Sequence, residues 1–171
     1  MMLPLARLGL IIRGTTPATI TLALAVISII PISMPNGLVV YPHLTLMSVF
    51  YWTIYRPDLM PPLAIFAIGL TQDLLTGGHL GLTPFLLLGV YASVLTQRRA
   101  FVGKPFVLTW TGFLIVLSVT SALTWFIVSI LSWRLLPLPQ IAAQFVTSLL
   151  LFPLLVWFFV RTHRRILPPT T

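Results

Sequence analysis

The chain has 171 residues, 58% of them hydrophobic and 7% charged, with ten basic residues against two acidic ones. A soluble domain carries about 25% charged residues, and no water-soluble fold of this length hides so much apolar surface. The formal charge of +8 comes without a long basic run or an aromatic platform, which argues against nucleic acid as a partner. The absence of cysteine removes disulfides, zinc-thiolate sites and thiol catalysis together.

Six apolar stretches, separated by proline, glycine and basic residues, predict six transmembrane helices in a single domain over 1–171. Helix 1 is expected over 16–32, with Thr15 or Thr16 as its cap and Pro17 in the tolerated first turn. Arg7 and Arg13 ahead of it resemble a signal peptide. The run ends instead in Pro31, Pro35, Asn36 and Gly37, without a small-x-small cleavage site, so it reads as a retained helix. Helix 2 is expected over 38–55 and finishes in Tyr51, Trp52 and Tyr55, an aromatic belt suited to the headgroup level.

After Arg56 and Pro57, Asp58 is placed to cap helix 3 over 59–75, with Pro61 and Pro62 in its first turn. That short connection makes helices 2 and 3 an antiparallel hairpin. Gly77, Gly78 and Gly81 form an outer turn into helix 4, expected over 82–95. Helix 5 is expected over 106–131, and Trp133, Arg134, Pro137 and Pro139 mark the next outer turn. Helix 6 follows over 140–160, where Pro153 should kink the helix unless neighbours satisfy the freed carbonyl.

The basic residues alternate with these helices. Arg7, Arg13, Arg56, Arg98, Arg99, Lys104, Arg161, Arg164 and Arg165 fall on one side, and Arg134 alone falls on the other. Over short connections this bias places the basic side, and both termini, in the cytoplasm. The charge then anchors the chain to the anionic inner leaflet of the lipid bilayer.

Catalysis has little to use. The two carboxylates are Asp58 and Asp73, and His43, His79 and His163 share no metal-ligand spacing. No nucleophile elbow, zinc-protease helix or phosphate-cradling loop is present, so the expectation is a protein without enzymatic activity, metal or cofactor.

Asp73 resists a bland reading. At ~1.5 Å per residue it lies about 20 Å into helix 3, in the outer part of a ~30 Å hydrocarbon core. A charge at the centre of that core costs about 2.5 kcal/mol or more, and less toward the edge. Gly69 lies one turn beneath it, where another helix could come close. Gln72 is its neighbour, and Gln140 and Gln144 enter from the same side, so one polar cluster is possible. Two readings stand: Asp73 ties helix ends, by accepting hydrogen bonds from the Gly77–Gly78 turn or by pairing with Arg134, or it belongs to a recognition site. The small-residue pairs Ala67/Thr71, Gly89/Ser93, Ser118/Ala122 and Ala143/Thr147 permit close helix contact without showing with what.

The run Phe50-Tyr51-Trp52-Thr53-Ile54-Tyr55-Arg56-Pro57-Asp58, then Gly69-Leu70-Thr71-Gln72-Asp73-Leu74 and Gly77-Gly78 with Leu80-Gly81-Leu82, resembles the central signature of the rod shape-determining protein MreD family. His43 stands after Pro42 where many members carry an acidic residue. The resemblance implies a non-enzymatic subunit of the bacterial inner membrane, with six helices and both ends in the cytoplasm. Its architecture would be similar to the substrate-binding subunits of energy-coupling-factor transporters. It further implies work in cell elongation and lateral peptidoglycan synthesis with MreC, and more widely with MreB, RodA and a penicillin-binding transpeptidase. Trp52, Arg56, Pro57, Asp58, Gly69, Asp73, Gly78 and Gly81 are the signature positions, with partner-binding or structural roles. The alternative is a small-molecule-binding transporter subunit, which would usually show longer outer loops and an Ala-x-x-x-Ala surface that Ala18, Ala23 and Ala25 do not supply.

Overall fold

A computed structural model describes residues 16–33, 39–133 and 137–166. Arg7, Arg13, Thr15, Pro35, Asn36, Gly37 and Arg134 lie outside the described residues, as do the side chains of His163, Arg164 and Arg165. Among the described residues the chain forms six helices. Helix α1 covers Thr16–Ile27. An antiparallel pair follows, β1 (Ile32–Ser33) and β2 (Val39–Val40), with Ile32 opposite Val40 and Ser33 opposite Val39. Then come α2 (Leu44–Tyr55), a 3-10 turn at Pro57–Leu59, α3 (Pro62–Thr76) and α4 (Leu82–Gln97). A second 3-10 turn at Arg98–Ala100 leads to α5 (Phe106–Ser132) and α6 (Leu138–Ile166), which continues through Pro153.

The expected boundaries of helices 4 and 5 lie close to those observed, whereas helices 1 and 2 differ. The stretch expected to extend helix 1 to 32 turns after Ile27 and becomes β1, and the start expected at 38 is replaced by β2, so α2 begins at Leu44. Pro31 and Pro42, which cannot donate into a helical ladder, bracket this hairpin of β-branched residues. Asp58 does not cap helix 3. It sits exposed in the 3-10 turn, and α3 starts at Pro62 with Pro61 in extended conformation at the cap position.

Packing also departs from the expected hairpin of helices 2 and 3. The closest partner of α3 is α4, and α2 packs against α4 and α6. Every residue from Thr45 to Ile54 is buried, so α2 is a central helix surrounded by the others. Trp52 and Tyr51 are therefore core residues, 1% and 2% exposed, and not a headgroup belt. The Tyr51 ring lies 5.0 Å from Phe159 of α6, and Trp52 lies 5.7 Å from the same ring. Next to them in the chain, Phe50 meets Phe113 and Phe152 edge-on at 5.5 and 5.9 Å, while those two stack at 4.0 Å. The hydroxyls of Thr21 on α1 and Ser48 on α2 share a buried hydrogen bond of 2.8 Å.

Outside this core the surface is apolar. Leu63, Phe66 and Leu74 on α3, Phe85 on α4, Ile115 and Phe126 on α5, and Leu150 and Trp157 on α6 are all exposed. Two helices, α5 and α6, are long and apolar enough to cross a membrane, and only 11% of the apolar window of α5 is buried. A core helix of a soluble protein would be mostly covered; α5 is the reverse.

Candidate functional site at the converging helix ends

The polar groups gather at one end of the bundle. A cavity of about 210 Å³ there is lined by Ser28 from the end of α1, His43 and Thr45 from the start of α2, and Gln72 and Thr76 from the end of α3. Thr83 from the start of α4, Thr120 and Thr124 from the second half of α5 and Gln144 from the first turns of α6 complete the wall. The ends of five helices and the second half of α5 thus meet around one space, the odd-numbered helices running toward it and the even-numbered ones away.

Most of its polar side chains are already engaged locally. The Thr76, Thr120 and Thr124 hydroxyls donate to the carbonyls of Gln72, Val116 and Thr120 on their own helices. The Gln72 amide donates to Ser28 Oγ at 3.3 Å, and Gln144 donates to the carbonyl of Tyr41 at 2.7 Å. Ser148 Oγ accepts the His43 backbone N–H at 3.0 Å, which ties α6 to the start of α2. Two buried oxygens are left over, Thr45 Oγ1 and Gln72 Oε1. Among the described residues its lining includes no carboxylate, lysine or arginine, and what it presents are neutral hydrogen-bonding groups. Among the described residues no group of three histidines, cysteines or carboxylates is placed to hold a metal.

Asp73 stands beside this cavity with a defined task. Its side chain is 3% exposed, and Oδ2 accepts the backbone N–H groups of Gly81 at 2.8 Å and Thr83 at 3.3 Å. Those are orphan donors at the first turn of α4, whose own N-cap, Gly81, has no side chain to offer them. The carboxylate of one helix therefore caps the next, where the positive end of the helix dipole offsets its charge. The acceptors' partners differ from the expected Gly77–Gly78 pair, and Arg134 is outside the described residues. Gly77 ends α3 in the left-handed region at φ 64°, and Gly81 opens α4 at φ 92°.

Gly69 is the packing counterpart of that cap. A Cβ built there would come within 2.7 Å of the Pro84 backbone on α4, so only glycine allows this approach. The contact is internal: Gly69 is buried against α4 of its own chain. Of the other signature residues, Pro57 is buried and Arg56 half-buried; Asp58, Gly78 and Gly81 are exposed. Gln140 does not line the cavity, whereas His43, noted in the sequence only as a departure from the family pattern, does, as do Thr45 and Thr83, which the sequence did not mark. Their common signal was a polar residue at the first turn of an apolar helix. At the opposite end, Arg98 Nε donates to the carbonyl of Ile54 at 2.8 Å, tying the end of α2 to the end of α4. Arg161 sits 5.5 Å from the Trp157 ring centre.

No curated protein and no solved structure matches the chain. A family model described as rod shape-determining protein MreD matches residues 10–162. That match covers nearly the whole length, including all eight signature positions: the chain belongs to the MreD family of rod shape-determining proteins, membrane components of the cell-elongation system.

Proposed function

We propose that this chain is a non-enzymatic, six-span subunit of the bacterial inner membrane that supports lateral wall synthesis through membrane-embedded contacts with MreC. MreB, RodA and a penicillin-binding transpeptidase complete the assembly in this reading. The observation that carries it is the family match over 10–162. Three features of the molecule support it. The outer surface of five helices is apolar, the helix ends alternate around one polar cavity, and Arg98, Arg99, Lys104 and Arg161 collect at the other end. The lengths of α2 to α4, 12, 15 and 16 residues, fall short of the ~20 residues of a full span, and in this placement the strand pair and the glycine turns make up part of the remaining thickness.

The signature acts in this proposal as a set of internal ties. Trp52, Pro57, Gly69 and Asp73 are buried within the chain's own bundle, which leaves the apolar outer faces for the partner. The cavity, at about 210 Å³, is smaller than the ~300–1,000 Å³ of most small-molecule sites.

The deciding experiment has two arms. Depletion of the protein should turn rods round, and purification from native membranes should recover MreC. A depleted strain that keeps its rod shape, or a preparation that never retains MreC, would overturn the proposal. Single cysteines at Gly78, Trp133 and Lys104 read the topology without background, since the native chain has none. An impermeant thiol reagent applied from outside should label the first two and spare the third.

A further inference from the structure

Between α4 and α5 the bundle does not close. An apolar groove of about 400 Å³ separates them, with Phe50 at its floor. Gly89 and Ser93 line it, and a Cβ added at Gly89 would meet nothing within 4 Å. Small residues at this spacing usually draw two helices together. Here they leave space, so something other than α5 belongs over them.

The shape and charge of the groove select its occupant. From Phe85 to Gln97 it follows α4 for about 18 Å at ~1.5 Å per residue, slightly more than one leaflet of a ~30 Å hydrocarbon core. Near its Gln97 end the groove is also lined by Phe101, which lies in the segment that carries Arg98, Arg99 and Lys104. Arg98 is spent on Ile54, whereas Arg99 and Lys104 are exposed. Among the described residues no charged one lines the groove itself. An uncharged lining suits hydrocarbon, and the exposed cations that follow its Gln97 end in the chain suit an anionic headgroup.

We propose that the groove holds one anionic phospholipid. An acyl chain lies along Gly89 and Ser93, and the phosphate sits between Arg99 and Lys104. Basic pockets between helices on the cytoplasmic side of membrane proteins take such headgroups, and the groove extends that contact into the hydrocarbon.

The assignment rests on the membrane placement proposed above. The test uses the full chain reconstituted in vesicles of phosphatidylethanolamine and phosphatidylglycerol, released in mild detergent and weighed by native mass spectrometry. Wild-type protein should retain one phosphatidylglycerol in preference to phosphatidylethanolamine. Replacing both Arg99 and Lys104 by Gln should weaken retention roughly 30-fold, from about one surface-charge increment each. Gly89→Leu and, independently, Ser93→Leu fill the groove with the charges intact and should abolish retention while the thermal midpoint stays near wild type. Equal retention of both lipids, or loss in the charge variant with none in the groove variants, would overturn the proposal. Labelling of a cysteine at Lys104 from outside would instead break the membrane placement, whatever the lipid result.

Discussion

Helices α2 and α5 are both strongly apolar, yet one is buried on every side and the other almost nowhere. In α2 twelve residues carry Thr45, Ser48 and Thr53 into the centre of the molecule, where each faces protein. In α5 twenty-seven residues place Thr109, Gly112, Phe113, Leu117 and Thr120 on a narrow buried stripe, and the rest faces outward. Apolarity here serves two solvents: for α2 the surroundings are other side chains, for α5 they are lipid. Stability should accordingly concentrate where protein meets protein.

The sharpest way to break this comparison is within α5 itself. Phe113→Ala removes a ring stacked on Phe152 and should cost about 3 kcal/mol in thermal or denaturant unfolding in detergent. Ile115→Ala, at a position 64% exposed, should stay within about 0.5 kcal/mol. Equal losses at the two positions would mean that α5 has no inner face.

The next effect falls on the α3–α4 turn. Asp73→Leu strands the N–H groups of Gly81 and Thr83 and should cost about 2 kcal/mol or more, whereas Asp73→Asn keeps one acceptor and should lose about half as much. Cell-shape complementation by each variant should follow its abundance. Normal abundance with lost complementation would move Asp73 from a tie to a recognition residue.

Glycines sharpen the contrast further. Gly69→Leu drives a side chain into the Pro84 backbone and should cost about 2 kcal/mol, while Gly89→Leu on the open groove should leave the unfolding midpoint near wild type. The reverse order would place the close helix contact at α4 and α5. The smallest effect is at the cavity. Thr45→Val removes a buried hydroxyl with no partner and should be neutral or stabilising by up to about 1 kcal/mol. A clear loss of stability would show that the hydroxyl is satisfied.

What the sequence makes legible follows from the same division. Asp73 stands out because a carboxylate in an apolar run needs a reason, and the glycines around it fix where the turn lies; the close boundaries of α4 and α5 come from prolines and glycines that act locally. Trp52 misleads because its neighbours Tyr51 and Tyr55 look the same at a headgroup interface and in an aromatic core. Only the position of Phe159, more than a hundred residues away, distinguishes the two. Asp58 misleads because two prolines delay the helix it was placed to cap. The strand pair 32–33 with 39–40 and the cavity are invisible for a related reason: each exists only once distant segments meet.

The brevity of α2 has a consequence for how the chain enters a bilayer. Twelve residues make a rod of about 18 Å, too short to stay across a ~30 Å hydrocarbon layer alone; its Ser48 hydroxyl pairs with Thr21 of α1 and its Thr53 hydroxyl with the carbonyl of Val49 in its own turn. In the six-span placement proposed above, such a segment is secured by its contacts with α1, α4 and α6 rather than by its own length, so insertion of the central helix should depend on helices made after it.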